Sequence, residues 1–125
     1  MRRSQQAELR ASLIGRAKRV VIKIGSNVLT GEGGLDLRVM GRLADEITTL
    51  KEEGREVILV SSGAIAAGLK KMGLPERPKA LPEQQACAAV GQGSLMMAYD
   101  EAFGRSGVLV GQVLLTRDDL AVRKR

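Results

Sequence analysis

The sequence predicts an α/β fold, an open and mainly parallel sheet with helices on both faces. Two short apolar runs, residues 20–24 and 57–60, have the continuous hydrophobicity of buried strands. A helical pattern at residues 36–53 separates them, and a helix between two strands is the usual crossover of parallel pairing. Strands that alternate with helices in this way favour a sheet covered on both sides.

The helix at 36–53 has the clearest boundaries. Asp36 is placed to cap its first turn, apolar residues follow at steps of three and four, and Gly54 lies just past its end. The other elements are predicted in chain order: an amphipathic helix at 5–18, a glycine-rich loop at 25–34, helices at 65–72 and 83–103, a third strand at 108–115 and a helix that starts near Asp118.

The positive charge is concentrated at the two ends. The 125 residues carry a net charge of +6. Residues 1–19 hold six basic side chains against one acidic, and the body at 20–116 holds ten against eleven. This distribution indicates solvated ends, so we expect no nucleic-acid partner through this segment. No apolar run approaches the ~20 residues of a membrane span, so no membrane partner and a cytoplasmic location are expected.

The composition excludes several classes of site. The chain has no histidine and one cysteine, which rules out a Ser–His or Cys–His pair, an internal disulfide and a multi-cysteine zinc site within it. Aromatic residues make up 2% of the chain, which leaves little for recognition by stacking. Neither a P-loop nor a Rossmann glycine fingerprint is present.

Two polar loops follow the first two strands, where α/β sheets bind ligands. Lys23 lies in the first strand, two residues before the glycine-rich loop, and Ser62 and Gly63 follow the second strand. Lys23 is either a lysine that extends to solvent or a cation aimed at a phosphoryl group. Ser62 is either a helix cap or a ligand-binding hydroxyl.

Four segments together resemble the amino-acid kinase family, and within it the kinases that phosphorylate glutamate. They are VIKIGSNVLT at residues 21–30, VSSGAIAAG at 60–68, AAVGQ at 88–92 and VGQVLLTR at 110–117. The resemblance implies a three-layer αβα sandwich. It also implies transfer of the ATP γ-phosphoryl group, with Mg²⁺, to the side-chain carboxylate of L-glutamate, the first step of proline biosynthesis.

The same resemblance assigns the candidate residues. Lys23 would be catalytic and contact the transferring phosphoryl group, and Gly25 and Ser26 would line the phosphate loop with it. Ser62, with the Gly63 and Ala64 backbone, would hold L-glutamate. No residue is assigned as a metal ligand, and a homo-oligomer is expected for the complete protein.

The length departs from the family pattern. Residues 1–19 are interpreted as a basic, helical extension and residues 20–125 as the glutamate-binding part of a kinase domain that stops before the nucleotide lobe. The 125-residue chain alone is therefore predicted to be inactive. Two alternatives stay open: another small-molecule kinase of this family, or a non-catalytic half-domain that binds a ligand or a partner. Against the first, related kinases usually have two glycines after the lysine, where this chain has Gly25 and Ser26.

Overall fold

The structure is a computed structural model that describes residues 2–122, with side chains from residue 4 onward. Its elements in chain order are α1 (Arg2–Arg16), β1 (Arg19–Ile24), α2 (Ser26–Leu29), β2 (Thr30–Gly31), β3 (Gly34–Leu35), α3 (Leu37–Glu52), β4 (Glu56–Ser61), α4 (Ala64–Met72), α5 (Leu81–Gly104) and α6 (Arg117–Ala121). None of the helices in this described part is long and apolar enough to cross a membrane.

Strands β1 and β4 form the predicted parallel pair, which confirms the α/β class. Their register runs from Arg19 opposite Glu56 to Ile24 opposite Ser61. Burial alternates along both strands, so Ile22, Ile24 and Leu59 face the core while the opposite face is open. On that open face Val21 is 62% exposed and Ile58 is 48% exposed. Within the described residues, one face of the sheet therefore carries the packed helices.

The core lies between the sheet, α3 and α5. Its buried members are mainly aliphatic, as the composition requires: Leu29, Met40, Ala44, Ile47, Leu95, Ala98, Tyr99, Ala102 and Phe103. Cys87 is fully buried in α5, which suits a small apolar side chain.

The predicted boundaries of α3 are confirmed. The Asp36 carboxylate accepts the backbone N–H groups of Arg38 at 3.0 Å and Val39 at 3.2 Å, so two donors of the first turn are satisfied. Gly54, just past the helix, has φ +82°, a left-handed conformation that glycine adopts without strain.

Helices α4 and α5 approach each other at two glycines. A Cβ on Gly91 would overlap the carbonyl oxygen of Ala64, and one on Gly68 would overlap the carbonyl oxygen of Cys87. The small residues of the two segments therefore bring the two backbones into direct contact.

The glycine-rich segment at 25–34 is more ordered than the predicted loop. One helical turn, α2, is followed by the β2–β3 hairpin, and the Asp36 N–H donates to the Leu29 carbonyl at 2.8 Å. Leu29 is fully buried and attaches this segment to the core. A buried leucine between polar loop residues is the physical reason for the difference.

The prediction of a third strand at 108–115 is wrong for this chain. Val108 and Val110 contact the core, but no strand in the described part pairs with the segment, and Leu109 is 94% exposed. Apolar sequence alone does not make a strand, because the backbone needs a ladder partner. The predicted last helix is present as α6, which begins at Arg117 and ends at Ala121, with an extended Val122 as its C-cap. The prediction for residues 123–125 lies outside the described residues.

Candidate active site

The parallel pair brings the two polar loops to one edge of the sheet. Ile24 and Ser61 are the last paired residues of β1 and β4, and the N–H of Ser62 donates to the Ile24 carbonyl at 3.1 Å. Gly25 and Ser62 therefore leave the sheet side by side. This is the carboxyl edge, where ligands bind in open α/β sheets.

Lys23 lies opposite Val60, near this edge and on the open face of the sheet. Its side chain is exposed and makes no hydrogen bond or ion pair with any described residue. An exposed ammonium avoids the desolvation cost of a charge inside an apolar strand. The position agrees with both sequence-based interpretations of Lys23.

Gly25 and Ser26 form the turn between β1 and α2. A Cβ on Gly25 would meet no atom within 4 Å, so packing in this chain does not require glycine there. Ser26 is half-buried, and its carbonyl accepts the Thr30 hydroxyl at 2.8 Å, which fixes the backbone of the turn.

Ser62 does not cap α4, so the capping interpretation is wrong. The N-cap residue is Gly63, with φ +116°, and no side chain within residues 4–122 bonds to the first turn. The exposed Ser62 hydroxyl has no hydrogen-bond partner there either. The first N–H groups of a helix lack internal partners, so the hydroxyl and the Ala64 amide together offer donors to an anion such as a carboxylate.

The two loops also touch through Gly63. A Cβ built on Gly63 would lie 4.0 Å from side-chain atoms of Leu29, at the end of α2, and of Leu35, in β3 of the hairpin. The segment after β1 thus packs against the segment after β4. Of the sequence-predicted site residues, Gly25, Ser26 and Ser62 to Ala64 belong to these two neighbouring segments, and Lys23 lies in β1 two residues before the first of them.

Sequence reasoning missed a hydrogen bond beneath the site. The hydroxyls of Ser61 and Tyr99 lie 2.6 Å apart. Burial raises the pKa of Tyr99 above its usual value, and the hydrogen bond with Ser61 partly opposes that rise. Two signals were available: strand alternation puts Ser61 on the core face with Leu59, and buried hydroxyls need partners.

The described residues contain no group of three or more His, Cys, Asp or Glu side chains that could hold a metal ion. Two shallow surface depressions flank Leu35 and Leu37, and neither is lined by Lys23 or Ser62. Within residues 2–122 the candidate edge is thus an open surface formed by a cation, two polar turns and backbone donors.

The fold and these loops agree with the protein family that a sequence comparison identifies. A sequence profile described as "Amino acid kinase family" matches residues 18–125, and the chain belongs to that family. Curated relatives named glutamate 5-kinase include two bacterial proteins: the chain is 55% identical over 118 residues to that of Geobacter metallireducens and 58% identical over 109 residues to that of Thermus thermophilus. These matches cover 94% and 87% of this chain but 32% and 30% of the relatives. The chain thus spans about a third of their length.

Proposed function

We propose that the full-length protein transfers the γ-phosphoryl group of ATP to the side-chain carboxylate of L-glutamate, as the first step of proline biosynthesis in the cytoplasm. The observation that carries this proposal is the meeting of the two polar loops at one sheet edge, with Ser62 N–H 3.1 Å from the Ile24 carbonyl. Transfer between two substrates needs the donor and acceptor loops to be neighbours. The names of the relatives support glutamate as the acceptor.

The reaction forms one bond to phosphorus and breaks another. A carboxylate oxygen of glutamate attacks the γ-phosphorus, the bond to the β,γ-bridging oxygen breaks, and ADP leaves with the electron pair. No proton has to be removed from an ionised carboxylate. Catalysis therefore depends on positioning and on stabilising the negative charge of the transferring group.

Lys23 is the residue proposed to stabilise that charge. It extends from the strand that leads directly into Gly25 and Ser26, the proposed phosphate-binding turn. A compact ammonium at this position adds positive charge next to phosphoryl oxygens. Its exposure and lack of a partner among the described residues leave it free for this contact.

Glutamate is proposed to bind at the β4–α4 turn. The Ser62 hydroxyl donates to a substrate carboxylate together with backbone N–H groups at Gly63 and Ala64. The left-handed Gly63 turns the chain so that these donors follow the end of β4 directly. Unoccupied donors at one turn are the property that an acidic substrate requires.

Magnesium is assigned to no residue of this chain. The residues described do not include a ligand cluster that fits a metal ion. In this proposal Mg²⁺ arrives with the phosphates of ATP, to which it binds strongly.

An acceptor-specificity assay on the full-length protein tests the proposal. We expect ADP release that depends on L-glutamate, and trapping of the acyl phosphate by hydroxylamine. N-acetyl-L-glutamate and UMP serve as matched alternative acceptors from the same family of kinases. Turnover with either of these and not with L-glutamate, or no turnover with any acceptor, contradicts the proposed function.

A further inference from the structure

Tyr99 connects the longest helix to the end of strand β4. It lies in α5, is 4% exposed, and packs with Phe103 at a ring-centroid distance of 6.3 Å. Its hydroxyl is 2.6 Å from the Ser61 hydroxyl, although the two residues are 38 positions apart. It is the chain's single tyrosine. Among the described residues, Ser61 alone forms a hydrogen bond with the buried Tyr99 hydroxyl.

The Ser61 hydroxyl takes part in two hydrogen bonds, and their donors and acceptors can be assigned. The Ser61 hydroxyl also donates to the carbonyl of Ser62 at 3.1 Å. Because a serine hydroxyl has one proton, this donation requires Tyr99 to be the donor in the other bond. The result is a relay from the Tyr99 O–H through the Ser61 O–H to the Ser62 carbonyl.

The relay ends on the turn that is proposed to bind glutamate. The Ser62 carbonyl belongs to the peptide that joins Ser62 to Gly63, so holding that oxygen fixes the direction of the Gly63 N–H on the same peptide. It also fixes the backbone from which the Ser62 side chain extends. Helix α5 is itself packed against α4 at Gly68 and Gly91, so the relay starts from a helix in close backbone contact with its neighbour.

We propose that Tyr99 and Ser61 are positioning residues that orient the Ser62–Gly63 peptide for the acidic substrate. Neither residue touches the substrate, so neither is catalytic. The inference rests on the proposed function, because it states how that same glutamate-binding turn is kept in place. It adds two residues, one of them in a helix that contributes nothing else to the site.

The test in the full-length protein compares variants that remove only hydroxyls. Tyr99→Phe keeps the buried ring and Ser61→Ala keeps the strand, so we expect both proteins to fold, which circular dichroism checks. Each variant should raise KM for glutamate by about two- to tenfold, the effect of losing one hydrogen bond, with KM for ATP unchanged. The double variant should be no worse than either single one, since both break the same relay. Ser61→Thr keeps a hydroxyl and should restore the wild-type KM.

Phe103→Leu is the matched control. It disturbs the core beside Tyr99 but leaves the relay intact, so we expect a lower melting temperature with an unchanged KM for glutamate. If Tyr99→Phe behaves like Phe103→Leu, Tyr99 is only a core residue and the proposal fails. Additive effects of Tyr99→Phe and Ser61→Ala would also overturn it.

A pH titration gives a readout that is independent of turnover. With ¹³Cζ-labelled tyrosine, the Tyr99 resonance is assigned by its absence in Tyr99→Phe. When Tyr99 ionises it has no proton left to donate, and the Ser61 hydroxyl turns to donate to the phenolate. This bond to the charged form lowers the Tyr99 pKa that burial raises, so Ser61→Ala should move the Tyr99 titration to still higher pH. An unmoved titration overturns the relay. If the wild-type protein has no glutamate-dependent turnover, the proposed function fails and the glutamate role of the relay fails with it, even where the titration does move.

Discussion

Lys23 and Ser62 are the two candidate site residues whose side chains carry the proposed chemistry. Both side chains are exposed, and both lack partners among the described residues. Neither side chain makes a hydrogen bond or an ion pair that stabilises the fold there. Their substitution should therefore affect function with little effect on stability, and each has its own kinetic signature.

For Lys23→Met in the full-length protein, we expect a fall in kcat of about 10²–10³-fold with much of the glutamate affinity retained. The reason is that a positioned cation acts mainly on the charge of the transition state. Lys23→Arg should also be poor, since a planar guanidinium does not replace a compact ammonium. Steady-state kinetics and a thermal melt check both effects.

Lys51→Met is the matched control for Lys23. Lys51 is an exposed lysine in the last turn of α3, which precedes β4 and so lies toward the opposite edge of the sheet. Its removal should leave kcat unchanged. A Lys23→Met enzyme that keeps most of its kcat would contradict the catalytic assignment.

Ser62→Ala should raise KM for glutamate by about five- to 150-fold, which corresponds to about 1–3 kcal/mol for a lost polar contact. KM for ATP should barely change, because the hydroxyl serves the acceptor. Ser12→Ala in the exposed α1 is the control and should change neither constant. An unchanged KM for glutamate would show that Ser62 does not bind the substrate. The helix-capping role would not explain the residue either, because the N-cap of α4 is Gly63.

At the scale of elements, the contact between α4 and α5 fixes the position of α5, the helix that carries Tyr99 beneath the candidate site. Gly68 and Gly91 let the two backbones touch, and α5 also carries Tyr99. The glycines of α5 are not equivalent. A Cβ on Gly91 would collide with backbone of α4, whereas one on Gly93 would meet no atom within 4 Å.

Gly91→Ala should lower the free energy of unfolding by about 3 kcal/mol or more, because backbone atoms of α4 would have to move. Gly93→Ala, two residues away in the same helix, should raise it by about 0.5–1 kcal/mol through better helix propensity. Urea unfolding followed by circular dichroism measures both changes. Equal effects of the two substitutions would show that α4 and α5 do not pack as described.

At the scale of the whole molecule, the open face of the β1–β4 sheet is the main feature. Val21, Ile58 and Val60 are between 47% and 62% exposed on one continuous strip beside Lys23. The chain spans about a third of its relatives' length. The described part alone thus leaves both an apolar sheet face and the proposed site open to water.

We therefore expect no glutamate-dependent ATP turnover from the isolated 125-residue chain. A phosphoryl-transfer site has to position both substrates, and the chain spans about a third of its relatives' length, with Lys23 and Ser62 exposed at an open edge of the sheet. A coupled ADP assay at saturating substrates checks this, with full-length protein as the positive control. Turnover of about 1 s⁻¹ or more by the chain alone would contradict the prediction.

The sequence by itself determined the elements whose cause is local. The cap at Asp36, the left-handed Gly54, the parallel strands and the two polar loops all follow from residue types and their spacing, so they could be predicted. The family motifs likewise identified Lys23, Gly25, Ser26 and Ser62 to Ala64 as candidates.

Only the tertiary structure decided the features that depend on residues distant in sequence. The segment 108–115 has the composition of a strand but no strand partner in the described part. The sequence of one segment does not determine whether another strand pairs with it. Ser62 had the residue type of a cap, yet the backbone makes Gly63 the N-cap. The bond between Ser61 and Tyr99 joins positions 38 apart, because the packing of α5 on the sheet brings two inward-facing hydroxyls together.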